Sequence, residues 1–126
     1  KEQVDVPGWG PWSEKEGVIY AHAPAEALQQ VLALRLHLDD CMEANGPLRV
    51  LPGTHELGVL SDEEIERHAT YEEPVDCLIA KGGVLAMRPL LIHASSKSRV
   101  QTPRRILHIE YSATKDLPGG LQLALA

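Results

Sequence analysis

An all-β domain, a β-sandwich or jelly-roll barrel carrying one short surface helix, is the fold this sequence predicts. Three observations lead there. The apolar segments are short and separated by Gly/Pro turns, the punctuation of an antiparallel β architecture. One segment alternates, with Leu32, Leu34, Leu36 and Leu38 on one face and Ala33, Arg35, His37 and Asp39 on the other. The stretch SDEEIERHA carries a helix start signal, Ser61 with Glu64 three places on, which together form a capping box.

In chain order, residues 1–17 hold Pro7, Gly8, Gly10, Pro11 and Gly17 beside two tryptophans and read as an irregular loop. VIYAHAP, from Val18, reads as a short strand stopped by Pro24. In ALQQVLALRLHLDD the helix propensity of Leu, Ala and Gln competes with the alternation, and the alternation predicts a strand from about Val31. The turn signals Asn45-Gly46-Pro47 and Pro52-Gly53 bracket a strand PLRVL. After the capped helix come VDCLIA, the turn Lys81-Gly82-Gly83, the strand VLAMRPLLIH, a polar turn over 94–103 and the long strand RRILHIEYSA. Residues 1–126 are expected to form a single jelly-roll domain, with 18–126 supplying the barrel strands.

At 126 residues the chain can bury roughly two-thirds of the surface its unfolded form exposes, so disulfides are not needed for a core. Cys41 and Cys77 stand in no metal-ligand or redox spacing, which suits two ordinary thiols in a reducing compartment. The formal charge of −6, from 18 acids against 12 bases, comes with no basic block and argues against a nucleic-acid partner. No apolar run approaches the roughly 20 residues of a membrane helix. KEQVDVPGWGPW lacks the apolar segment of a signal peptide, so a cytoplasmic domain is expected. That charged, turn-rich opening without an initiator Met reads as the middle of a longer sequence.

Three groups of residues have the types that chemistry needs. His93 follows Leu90-Leu91-Ile92 and precedes Ala94-Ser95-Ser96, so it stands where an apolar strand meets a polar turn. At the mouth of a barrel such an imidazole can meet a metal or substrate; its bland role is a bond to the turn. Arg104 and Arg105 open the last strand on opposite faces, and one that points inward needs an anion, for which its planar fork suits a carboxylate. The structural alternatives for it are a pair with Glu110 or an ordinary surface arginine. His37-Leu38-Asp39 is a literal His-x-Asp, which with a distant histidine could make the two-His-one-carboxylate triad of non-haem iron, although so short a pattern often arises by chance. Structural roles are expected for His22, before a loop, His55, capping a turn, His68, on the short helix, and His108, in the final strand. The sequence holds no Gly-x-Gly-x-x-Gly, zinc spacing or nucleophile elbow.

Taken together, LRLHLDDCMEANGPLRVLPGTHELGVL, GGVLAMRPLLIHASSKS and PRRILHIEY resemble the phytanoyl-CoA dioxygenase family of Fe(II)- and 2-oxoglutarate-dependent oxygenases, over most of residues 9–121. The Asn-Gly-Pro-Leu-Arg-Val-x-Pro-Gly-Thr-His block is the most specific piece. The resemblance implies a double-stranded β-helix, a cupin-like jelly roll that is incomplete in these residues, and a small organic substrate. It also implies Fe(II) and 2-oxoglutarate as cofactors. It puts the distal metal histidine on His93, the arginine for the far carboxylate of 2-oxoglutarate on Arg104 eleven residues later, and a small hydroxyl near the co-substrate on Ser95. The family's His-x-Asp lies upstream of the GWGPW loop and is not among these residues, whereas His37 and Asp39 align where the family has no metal ligand. Two of the three protein ligands are therefore expected to be missing, and this stretch alone is expected to bind iron poorly.

Two other readings carry their own expectations. A non-catalytic jelly-roll module for binding or assembly would form homo-oligomers through exposed sheet edges. A rearranged metal site would instead use His37, Asp39 and His93 within this chain.

Overall fold

The computed structural model describes residues 5–123. The strands are β1 (Trp12–Lys15), β2 (Val18–Ala21), β3 (Val31–His37), β4 (Leu48–Val50), β5 (Val75–Cys77), β6 (Val84–Met87), β7 (His93–Ser95), β8 (Ile106–Ser112), β9 (Asp116–Leu117) and β10 (Leu121–Gln122). Two α-helices and three short 3-10 turns join them, the α-helices being a single turn, α1 (Ala25–Leu28), and α2 (Asp62–Tyr71). The capping box opens α2 as expected, with Ser61 N–H donating to Glu64 Oε2 at 2.8 Å and Glu64 N–H to Ser61 Oγ at 3.3 Å.

Two antiparallel three-stranded sheets carry the fold, in the orders β6-β3-β8 and β5-β4-β7. The chain thus alternates between them, with strands three, six and eight in one and four, five and seven in the other, as in a jelly roll of the double-stranded β-helix kind. They meet through Ala33, Met87, Leu48 and Val50, against which Cys77, Leu85 and Leu91 pack. Ala33 and Met87 are register partners, so the face of β3 that carries Ala33, Arg35 and His37 is the inner wall. The leucine face lies outside. Its neighbours there are themselves apolar and exposed, Val84 at 55%, Leu107 at 49% and Tyr111 at 54%.

Both thiols are free, Cys41 being fully buried and Cys77 half-buried. Among the described residues no helix is long and apolar enough to cross a membrane.

Three expectations need correction. The irregular loop expected over 1–17 contains β1, which pairs with β2 from Trp12↔Ala21 to Lys15↔Val18; residues 1–4 lie outside the described residues. The turn residues hid a hairpin, because Glu16-Gly17 supplies the two left-handed conformations, φ 52° and 76°, that a tight reversal requires. VLAMRPLLIH is not one strand but β6, a turn closed by Leu91 N–H to Arg88 O at 3.1 Å, and then β7 starting at His93. Pro89 has no N–H to give a ladder, so pairing stops there. The polar turn expected from residue 94 accordingly gives up Ala94 and Ser95, which pair with β4.

Candidate functional site

Strand register decides which side chains share the space between the sheets. In β7, His93 is opposite Val50 and Ser95 is opposite Leu48, and side chains paired across an antiparallel ladder lie on one face. Leu48 and Val50 are core residues, so His93 and Ser95 belong to the inner wall, although both are solvent-exposed. On the opposite sheet, Ile106 is paired with His37 and His108 with Arg35. Arg104, two residues before Ile106, continues that inner row.

The ring of His93 is oriented. Its Nδ1 is 2.7 Å from the carbonyl of Leu91, which can only accept, so Nδ1 carries a proton, and Nε2 is the nitrogen that the neutral ring presents as a lone pair. Thr54, the threonine of the Pro-Gly-Thr-His block, fixes the approach to this strand. Its buried hydroxyl donates to Leu51 O at 2.8 Å and accepts from Ile92 N–H at 2.9 Å, while Leu51 N–H donates to Ile92 O at 3.0 Å.

Arg104 reaches the same corner from the other sheet, its Nη1 donating to the carbonyl of Gly46. Gly46 has φ 73°, and a Cβ there would lie 2.2 Å from Ser96 O, so this turn is pressed against the chain just after Ser95. Only glycine combines that backbone with that approach. Buried Asn45 holds the turn, donating to Asp40 O at 2.7 Å and accepting from Met42 N–H at 2.8 Å. The Asn-Gly-Pro part of the block is therefore a device for placing a carbonyl beside Arg104.

Arg105 faces the other way and is taken up by Asp39. That ion pair, reinforced by a backbone bond from Arg105 N–H, holds the Asp39 carboxyl well below the usual carboxylate range and raises the Arg105 guanidinium. Both oxygens of Asp39 are engaged, and among the described residues no three His, Cys, Asp or Glu side chains come together as a metal site. A rearranged His37–Asp39–His93 triad is excluded on both counts.

Sequence reasoning overlooked Arg35. Alternation put it on one face with His37, but alternation alone does not say which face of the strand is inner. In the structure Arg35 Nη1 lies 3.5 Å from His108 Nδ1, and His108 Nε2 lies 3.3 Å from Glu110 Oε1. His37 is 3% exposed, and burial first, then Arg35 and Arg104, keep its pKa below the ordinary value.

A cavity of about 600 Å³ opens beside His93, between the β1–β2 hairpin and the segment leading into α2. Tyr20, Leu28, Val59, Ile65 and Leu91 give it a largely apolar lining.

The family model for phytanoyl-CoA dioxygenase (PhyH) matches residues 7–106. The chain belongs to the phytanoyl-CoA dioxygenase family. Solved structures agree on the fold. EctD from S. alaskensis with 2-oxoglutarate and 5-hydroxyectoine is 23% identical, with a TM-score of 0.64 over 78% of this chain and 37% of that one. The same protein with bound Fe is 25% identical, with a TM-score of 0.60 over 71% of this chain and 34% of that one. AviO1 from Streptomyces viridochromogenes Tue57 is 24% identical, with a TM-score of 0.61 over 90% and 48%. The chain spans less than half the length of each of these structures. No curated protein sequence matches it.

Proposed function

We propose that these residues form the distal-histidine and co-substrate part of an Fe(II)- and 2-oxoglutarate-dependent oxygenase that hydroxylates a small organic substrate. The observation that carries this reading is the 2.7 Å contact between His93 Nδ1 and Leu91 O. With Nδ1–H committed to Leu91 O, the free Nε2 lone pair is what a metal takes, and such a carbonyl partner is the usual support of a ligating imidazole. Arg104, on the inner wall with no carboxylate partner among the described residues, would grip the far carboxylate of the oxoacid. Ser95, on the same wall as His93, would donate its hydroxyl to that molecule.

When bound, the iron and the oxoacid together supply the oxidation of an unactivated C–H bond by oxygen. The protein's part is binding, orientation and exclusion of water. The apolar cavity beside His93 would hold the substrate with its reacting carbon near the metal and with little competing water. The other two protein ligands, a His-x-Asp pair by family resemblance, would come from outside these residues, so the isolated stretch is a weak iron binder.

The test is the Fe(II) affinity of this chain with and without 2-oxoglutarate. Weak binding that tightens with 2-oxoglutarate, falls in His93→Ala, and loses its 2-oxoglutarate dependence in Arg104→Ala is expected. Iron retention indifferent to His93→Ala would overturn the assignment of the ligand, and 2-oxoglutarate dependence that survives Arg104→Ala would overturn that of the carboxylate site.

A further inference from the structure

The inner wall holds more hydrogen-bond donors than the protein satisfies. His37 is 3% exposed, yet among the described residues neither of its ring nitrogens has a partner. Arg35 Nε is likewise buried and unpartnered. Leaving a polar group buried and unpaired costs about 1–3 kcal/mol, so native structures rarely do it without a ligand or an ordered water to meet it.

The charges nearby say which ligand. Arg35 stands two residues before His37 on the same face of β3, and Arg104 stands two before Ile106, the partner of His37. Neither guanidinium has an ion pair among the described residues. The carboxylates that might have served are engaged, Asp39 by Arg105 and Glu110 by His108. Two guanidiniums that meet only neutral groups directly, Arg35 the His108 ring and Arg104 the Gly46 carbonyl, beside an unpartnered imidazole make a site for an anion, and the imidazole is the only one of the three that can also accept.

We propose that His37 is a second recognition group for the carboxylate that Arg104 grips, donating a ring N–H to it from the floor of the inner wall, with Arg35 Nε at its side. This rests on the reading of Arg104 given above, and it names a recognition residue that reading does not contain. The ligand class is a short dicarboxylic acid whose far end lies in the wall. A neutral imidazole suits the place, because a third cation there would have to be held against two guanidiniums when the ligand leaves. The low pKa of His37 is consistent with this.

Succinate tests the pocket without iron, since it has the far carboxylate but no oxo group for chelation. The 126-residue chain, labelled at its histidine ring nitrogens and arginine Nε positions, would be titrated with succinate and followed by NMR. A saturable shift of the His37 ring resonances together with Arg104 Nε is expected. Succinate affinity is expected to drop about tenfold in His37→Leu, the loss of one charge-assisted hydrogen bond, and to be largely retained in His37→Gln, which keeps a donor. Movement of Arg104 Nε with His37 unchanged overturns the role of His37 and leaves the oxygenase reading standing. No succinate binding at all overturns the pocket, while the iron titration judges the oxygenase reading separately. The wild-type shifts decide the matter even if a variant fails to fold.

Discussion

The guanidinium of Arg105 holds Asp39 in a two-pronged grip, Nε to Oδ2 at 2.9 Å and Nη2 to Oδ1 at 2.8 Å, and its backbone N–H adds a third bond to Oδ2 at 2.8 Å. This clamp joins the end of β3 to the approach to β8. By fixing Arg105 outward it obliges Arg104, its neighbour, to face inward. Asp39→Asn is therefore expected to loosen this junction, seen as faster amide exchange at Arg105 and Leu38, and to weaken 2-oxoglutarate binding without touching the ligand. The pH sign is set by the depressed carboxyl: the stabilisation is complete above its ordinary range and is lost as pH falls through the lower folded value. Wild type and variant should converge only in strong acid. Equal stability of the two at neutral pH would count against the clamp.

Thr54→Val removes the hydroxyl that accepts from Ile92 N–H while keeping the shape of the side chain. The amide just before His93 is then left without its partner, which costs about 1–3 kcal/mol in urea unfolding. Because Ile92 precedes His93, the proposed metal ligand, iron affinity should fall too. A variant as stable as wild type would mean that Ile92 N–H finds another acceptor.

Gly46→Ala meets both a left-handed backbone and the carbonyl of Ser96 at 2.2 Å. Strain of this kind costs about 1–3 kcal/mol before the clash is added. The turn must shift, and with it the carbonyl beside Arg104. The expected result is lower thermal stability and weaker 2-oxoglutarate binding together, so intact binding in a destabilised variant would uncouple the turn from the site.

His37 gives stability a slope in mild acid. Burial and the two arginines put its folded pKa below the ordinary 6.5, so between that value and the folded one the unfolded chain binds more protons. Stability should fall as pH drops below about 6.5 and stop falling once the folded pKa is passed. In His37→Gln the thermal midpoint measured from about pH 7.5 to 5.5 should decline less steeply. An identical slope would show that other groups cause it.

Much of this was legible in the sequence. Alternation located β3 from Val31, paired turn signals located β4, and the capping box located α2, because each rests on local chemistry that tertiary contacts did not override. The placement of Arg104 and Arg105 on opposite faces also follows from alternation alone. What was not legible depends on partners far along the chain. β1 has no apolar period to announce it between Pro11 and Gly17. The break at Pro89 was hidden inside a run of apolar residues. The inner wall was hardest, because the polar face of β3 is the one that turns inward and its leucines face out. A polar strand face turned inward reverses the usual sense of amphipathicity, and only strand pairing discloses that.

The two guanidiniums of that wall sit inside a chain whose formal charge is −6. A dianion such as the proposed 2-oxoglutarate ligand would thus be repelled from afar and attracted only close to the inner wall. Salt acts unequally on these two stages, since the Debye length shrinks from about 30 Å at 0.01 M to about 10 Å at 0.1 M, while a contact of a few ångströms between partly buried groups is screened far less. Capture of the oxoacid should accordingly speed up with ionic strength, the reverse of the steering seen when a protein and its ligand carry opposite charge.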